Sequence, residues 1–206
     1  MRHQAPTDAC PHHGLAASTV TTPTFAASTA SRRDGLRRGT LAAQAFSWGG
    51  DVALLNSGRR AFLCGVGAFF AAHVGYISAF LSARDRDRTI SNPGATAAVA
   101  SWLLLAPVMS VAAGRRDPRL RLPIALYAGA LASMFATSTM LNRDIPTAAR
   151  RRIVSGSSLF LLSDTLLGIR EFLLDDDSPM LDSAVMATYT AGQWLIADGV
   201  KAAGRT

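Results

Sequence analysis

The most constraining feature of this sequence is a long apolar stretch, residues 61–83, that contains no Asp, Glu, Lys or Arg. As a helix it would rise about 34 Å at ~1.5 Å per residue, which matches the ~30 Å hydrocarbon thickness of a bilayer. Residues 94–114 and 122–142 are also free of charged side chains. Because the helices of a water-soluble bundle keep charged residues on their outer faces, these stretches predict helices that cross a membrane.

Three further segments are apolar but carry a few polar residues, namely residues 40–56, 153–174 and 180–200. Together with the charge-free stretches, they predict an all-α polytopic transmembrane bundle of about six helices that occupies residues 40–200. Residues 1–39 are rich in Ala, Ser and Thr and lack a sustained apolar run. We therefore expect a disordered or misassigned N-terminal tail without a secretory signal, and residues 201–206 form a short C-terminal tail.

The chain is strongly basic, with a formal net charge of +7 at pH 7. Nearly all of the basic residues lie in connectors or tails, and the connectors are residues 59–60, 84–88, 115–121 and 143–152. Basic connectors beside apolar spans are typical of insertion topology, so we expect contact with the lipid bilayer and no nucleic acid. The uneven share of Lys and Arg on alternate sides predicts that both termini are cytoplasmic. Because Arg greatly outnumbers Lys, as in GC-rich bacterial genomes, we expect a bacterial cell membrane.

Polar residues deep inside apolar spans are costly to bury, so each one is a candidate functional residue. His73 and Tyr76 lie three positions apart, and Tyr189 and Gln193 lie four apart, so each pair shares a helix face and predicts a polar cavity. Asp164 lies between leucines, a setting that favours a protonated carboxyl group and predicts a general acid. Asp51 completes a set on four predicted helices. Each residue taken singly could instead form a structural hydrogen bond between helices, and Asp51 could lie at the membrane–water interface.

No other catalytic motif competes with this set. The sequence contains no P-loop, no G-x-S-x-G nucleophile elbow and no metal-ligand spacing. Cys10 and Cys64 provide no disulfide framework, and a Cys10, His12 and His13 cluster in a flexible tail is usually incidental. We therefore expect neither a metal nor a cofactor.

Four segments of the sequence carry a family resemblance, in this order along the chain: SWGGDVALL (47–55), GVGAFFAAHVGYISAF (65–80), GSSLFLLSDTLLGI (156–169) and ATYTAGQWLIADG (187–199). Together they resemble the YhhN-like family of membrane lysoplasmalogenases, and the resemblance covers residues 40–200. It implies eight helices, the first two of which would precede residue 40. Because residues 1–39 contain nothing able to span a membrane, we expect either a misassigned start codon or a truncated or diverged member.

The resemblance implies hydrolysis of the vinyl ether bond of a lysoplasmalogen, which releases a fatty aldehyde and a glycerophospho-alcohol such as glycerophosphocholine or glycerophosphoethanolamine. The substrate could also be another ether lysolipid. Such chemistry needs one acid that protonates carbon and a second carboxylate that stabilises the cation or activates water. Asp164 and Asp51 suit these two roles, in an order that the sequence leaves open, and His73 completes the expected catalytic set.

Four residues are candidates for substrate binding, namely Tyr76, Tyr189, Gln193 and Arg170. Arg170 lies about 9 Å beyond Asp164 on the same predicted helix at ~1.5 Å per residue, which suits a contact with the lysolipid phosphate. Arg170 could equally be a charge that sets topology. Two rival functions remain open: a small-solute transporter or channel, and a non-catalytic membrane bundle. The oligomeric state is left open as well.

Overall fold

The computed structural model describes residues 22–85, 93–174 and 178–205. Within them, the chain forms six α-helices and no β-strand: α1 (Thr22–Leu54), α2 (Arg59–Ser82), α3 (Pro93–Arg116), α4 (Arg121–Ser138), α5 (Thr147–Phe172) and α6 (Pro179–Ala203). A short 3₁₀ helix, Pro118–Leu120, leads into α4. The predicted all-α fold is confirmed.

Four segments of the described chain are long and apolar enough to cross a membrane, namely α2, α3, α5 and Pro118–Ser138. Their outer faces carry large exposed apolar side chains, among them Trp102, Leu104 and Leu126. Such faces suit contact with lipid tails, as expected for an integral membrane protein. α6 is long enough but less apolar, because Tyr189, Gln193 and other polar residues interrupt it.

The helices pack as three antiparallel pairs, and the two members of each pair are neighbours in sequence: α1 with α2, α3 with α4, and α5 with α6. α4 also contacts α2 and α5, so it joins the three pairs. Glycines allow close approach: a Cβ added at Gly156 would lie 2.7 Å from the Gly192 carbonyl oxygen, and one at Gly39 would lie 2.7 Å from the Ala79 side chain. Small residues at such crossings are typical of helix packing in membranes. They fix the spacing of the helices that carry the candidate site.

The first helix begins at Thr22, earlier than the predicted start at residue 40. Its added length packs on the bundle, since Leu36 and Thr40 are buried and Gly35 lies close to Ser82 of α2. Ala, Arg and Leu are strong helix formers, so local helix propensity extends α1 into the region predicted as a tail. Residues 1–21 lie outside the described residues, as do residues 86–92 and 175–177, which entered the prediction of orientation.

Candidate active site

Asp164 of α5 lies at the centre of the polar cluster inside the bundle. Its side chain is only 8% exposed. Its Oδ2 atom accepts a hydrogen bond of 2.6 Å from the hydroxyl of Tyr127 on α4. The same oxygen lies 3.6 Å from Nε2 of His73 on α2, which is longer than a hydrogen bond. Three helices therefore meet at one carboxyl group.

His73 is fully buried, and its ring orientation is set by its own helix. Nδ1 lies 2.6 Å from the carbonyl oxygen of Phe69. Because a carbonyl can only accept, Nδ1 must carry the proton and donate it. Nε2 therefore presents to Asp164 either a lone pair or, in the charged ring, a second N–H. At 3.6 Å, however, Nε2 forms no hydrogen bond with Asp164 in this structure.

A second group of hydrogen bonds connects α1, α2 and α6. Tyr189 donates to Oδ2 of Asp51 at 2.8 Å, and Tyr76 donates to Oε1 of Gln193. Nε2 of Gln193 and Oγ of Ser47 are buried and interact with the Tyr189 hydroxyl, although neither forms a hydrogen bond of normal geometry with it. Tyr189 therefore connects Asp51, Ser47 and Gln193 in one polar group.

Phe160 of α5 joins the two hydrogen-bonded groups. Its ring packs edge-to-face on His73 at 5.1 Å and on Tyr189 at 5.5 Å, measured between ring centroids. It also lies against Tyr76, at 6.2 Å. The predicted residues His73, Tyr76 and Tyr189 therefore surround one aromatic ring. Asp164 and Asp51 each accept a hydrogen bond from a tyrosine, Tyr127 and Tyr189 respectively.

A cavity of about 350 Å³ lies between α2, α3, α4 and α5. Asp164 and Tyr127 form part of its wall, and most of the other lining residues are apolar. Arg170 and Glu171 line it further along α5. The sequence predicts that Asp51, His73, Asp164, Tyr189 and Gln193 converge on one internal cavity, but of these five residues Asp164 alone lines this cavity. The other predicted residues lie outside this lining.

Arg170 is not a free cation in this structure. It forms an ion pair with Asp182 of α6 through Nη1. A guanidinium group has five N–H donors, so this contact leaves others for a second anion. Arg170 therefore remains a candidate for phosphate binding as well as a tie between α5 and α6.

Sequence reasoning missed Tyr127, Phe160 and Glu171. One signal pointed to Tyr127: the sequence contains three tyrosines, and all three hydrogen-bond within this cluster. Tyrosine in a membrane helix usually lies at the interface, so a tyrosine well inside an apolar stretch needs a polar partner. Phe160 carries no such signal, because an aromatic residue in an apolar span is ordinary. In the described parts of the chain, no group of three or more His, Cys, Asp or Glu residues could hold a metal ion.

Comparison with known families gives one clear result. The model of the YhhN family matches residues 14–200. No curated protein and no solved structure matches the chain. The match begins well before residue 40 and includes all of α1, so the first helix is part of the family region. It also includes every residue of the polar cluster. The chain belongs to the YhhN family.

Proposed function

We propose that the protein is a membrane hydrolase that cleaves the vinyl ether bond of a lysoplasmalogen or a related ether lysolipid. The observation that carries this proposal is a buried carboxyl group, Asp164, in the wall of an apolar cavity that also contains a basic residue, Arg170. Membership of the YhhN family adds support, through the resemblance of its motifs to membrane lysoplasmalogenases.

The cavity suits an amphipathic substrate. Its volume of about 350 Å³ falls within the ~300–1,000 Å³ range of small-molecule sites. Its apolar lining favours a hydrocarbon chain, whereas the free N–H groups of Arg170 suit a phosphate. A path for ions or small polar solutes would need a polar lining along its length, so this cavity favours the lipid hydrolase over a transporter.

The chemistry requires a proton for carbon. Asp164 gives its proton to the vinyl carbon that is not bonded to oxygen, and the π electron pair forms the new C–H bond. The positive charge is shared by the other vinyl carbon and the ether oxygen. Water adds to that carbon, and the proton that the water loses restores the Asp164 acid. The hemiacetal hydroxyl then loses its proton as the bond to the glycerol oxygen breaks, and the glycerol oxygen gains a proton, which leaves a fatty aldehyde and an alcohol.

Other residues of the cluster suit supporting roles. His73 faces Oδ2 of Asp164 at 3.6 Å and is the candidate residue for orienting this carboxyl group. Asp51 is held by Tyr189 and is the candidate for the second carboxylate, which stabilises the cation or activates water. The cavity wall includes Asp164 and not Asp51, and this favours Asp164 as the donor.

A matched pair of lipids tests the proposal. The full chain, purified and placed in liposomes, is given a 1-alkenyl lysolipid or the 1-alkyl ether of the same headgroup and chain length, and released aldehyde is measured. We expect aldehyde from the alkenyl lipid alone, because the alkyl ether has no double bond to protonate. Absence of aldehyde from both lipids would refute the proposal. Solute uptake without aldehyde release would favour a transporter.

A further inference from the structure

The contacts of Asp164 are unevenly divided between its two carboxyl oxygens. Oδ2 accepts the hydrogen bond from Tyr127 at 2.6 Å and also faces Nε2 of His73 at 3.6 Å. Within the part of the chain that the structure describes, no hydrogen bond reaches Oδ1. A carboxylic acid carries its proton on one oxygen only, so this asymmetry bears on which oxygen that is.

We propose that Tyr127 is a positioning residue that keeps the acidic proton of Asp164 on Oδ1, the oxygen left free to donate it to a ligand in the cavity. This role rests on the proposed hydrolysis, in which Asp164 protonates carbon. Tyr127 supplies no proton to the substrate. Its hydrogen bond determines which carboxyl oxygen of Asp164 carries the proton when the substrate is bound.

The hydrogen-bond chemistry of a neutral carboxyl group supports this role. Its carbonyl oxygen is the better acceptor, and its hydroxyl oxygen is the donor. Because Tyr127 donates to Oδ2, it favours the form in which Oδ2 is the carbonyl oxygen. A proton on Oδ2 would find only His73 Nε2 nearby, at a distance beyond a hydrogen bond. A proton on Oδ1 has no protein acceptor and is available to a ligand.

Packing holds the Tyr127 hydroxyl in place. The Tyr127 ring lies edge-to-face on the ring of His73, with 5.1 Å between centroids. The His73 ring is fixed in turn by its bond to the Phe69 carbonyl. Tyr127 also lines the cavity, so its bond to Asp164 lies where a substrate would be bound. A preorganised acid of this kind avoids reorganisation at the moment of proton transfer.

The substitution Tyr127→Phe removes the hydroxyl group and little else. We expect kcat for aldehyde release to fall about 10-fold or more while KM stays within about twofold, because the ground state still binds. Affinity for the uncleavable 1-alkyl ether lysolipid should be unchanged. The infrared carbonyl band of the Asp164 acid, assigned by its loss in Asp164→Asn, should move to higher frequency, since a carbonyl that loses a hydrogen bond stiffens.

The matched control is Thr137→Val, which removes another hydroxyl from α4. Thr137 bonds only to backbone carbonyls of its own helix, so all three measurements should stay unchanged. A fluorinated tyrosine placed at position 127 keeps the fold and strengthens the donor, so it should move the Asp164 band to lower frequency. This second variant decides the matter where Tyr127→Phe does not fold.

Several results would overturn the inference. They are an unmoved Asp164 band in both variants, the absence of any acid band for Asp164 in the wild type, or weaker binding of the alkyl ether with unchanged kcat. The last result would make Tyr127 a binding residue. A wild type that releases no aldehyde, with the band shifts still present, would refute the proposed function and leave the position of the proton established.

Discussion

Replacement of Asp164 gives the sharpest test of the proposed chemistry. Asp164→Asn keeps an oxygen in the place of Oδ2, where it can accept from Tyr127 and face His73, so the fold should survive. An amide cannot protonate carbon. General acid catalysis typically contributes ~10²–10⁴-fold, and here the first step needs it entirely, so turnover should fall by at least about 10³-fold. Affinity for the 1-alkyl ether lysolipid should be retained.

Asp164→Glu separates the presence of an acid from its position. The added methylene extends the side chain by about 1.5 Å, one C–C bond. Because Asp164 is held at 2.6 Å from Tyr127, this extension breaks the present geometry or forces the side chain aside. A misplacement of about 1 Å can lower the rate ~10²-fold, which corresponds to about 2.7 kcal/mol in the barrier. Glu should therefore be active but weak, between wild type and Asn.

Aldehyde release from alkenyl lysolipid in liposomes is the assay for both variants. Asp198→Asn is the matched control, because Asp198 pairs with Arg152 at 3.0 Å and is not part of the cavity wall. In the wild type, activity should fall as pH rises, because ionisation of Asp164 removes the proton that is transferred. Near-native aldehyde release by Asp164→Asn would refute Asp164 as the donor.

Three further variants have defined outcomes. Asp51→Asn should lower kcat and leave alkyl ether binding intact, since Asp51 is the candidate second carboxylate. If Asp51→Asn is inactive while Asp164→Asn is active, the roles of the two residues are reversed. If both variants remain active, neither residue is the catalyst. Arg170→Ala should raise KM about 10-fold or more with little change in kcat, because it removes a charge-assisted contact to phosphate, and unchanged kinetics would exclude it from the site. Gly192→Ala should lower stability by about 1–3 kcal/mol, since its Cβ would lie 2.9 Å from the Gly156 carbonyl oxygen. Thermal unfolding in detergent measures this loss. Gly67→Ala is the control, because a Cβ at Gly67 would contact no other atom within 4 Å. Equal melting temperatures for the two variants would contradict the packing argument.

The polar residues show how far local sequence reaches. One rule, that a polar side chain inside an apolar span needs a polar partner or a function, predicts the following candidates: Asp51, His73, Tyr76, Asp164, Tyr189 and Gln193. The rule works because burial in hydrocarbon is costly for each residue on its own. It fails for Phe160, whose side chain is at home in any apolar span. It applies equally to Tyr127 inside residues 122–142, but it does not show that the partner of Tyr127 is Asp164.

The start of α1 shows what the apolar pattern of the sequence does not predict. The apolar signal begins near residue 40, yet the helix begins at Thr22. Hydrophobic runs indicate where a helix contacts lipid or the protein core, and helix propensity indicates how far the backbone stays helical. Residues such as Gly35 and Gly39 lower that propensity, but their small size lets α1 lie close to α2. The benefit of this contact depends on α2 and is not visible in the segment itself.

The sequence by itself determined the all-α class and predicted most of the residues of the candidate site. These follow from properties of single segments, because long apolar runs must form helices in a membrane and their polar residues must face inward. Only the tertiary structure decided which of these residues meet. Three sets of contacts join different helices: the Tyr127 bond to Asp164, the packing of Phe160 on His73 and Tyr189, and the ion pair of Arg170 with Asp182. Periodicity fixes the inward face of each helix but not its neighbours, and those are set by close packing at small residues such as Gly156 and Gly192.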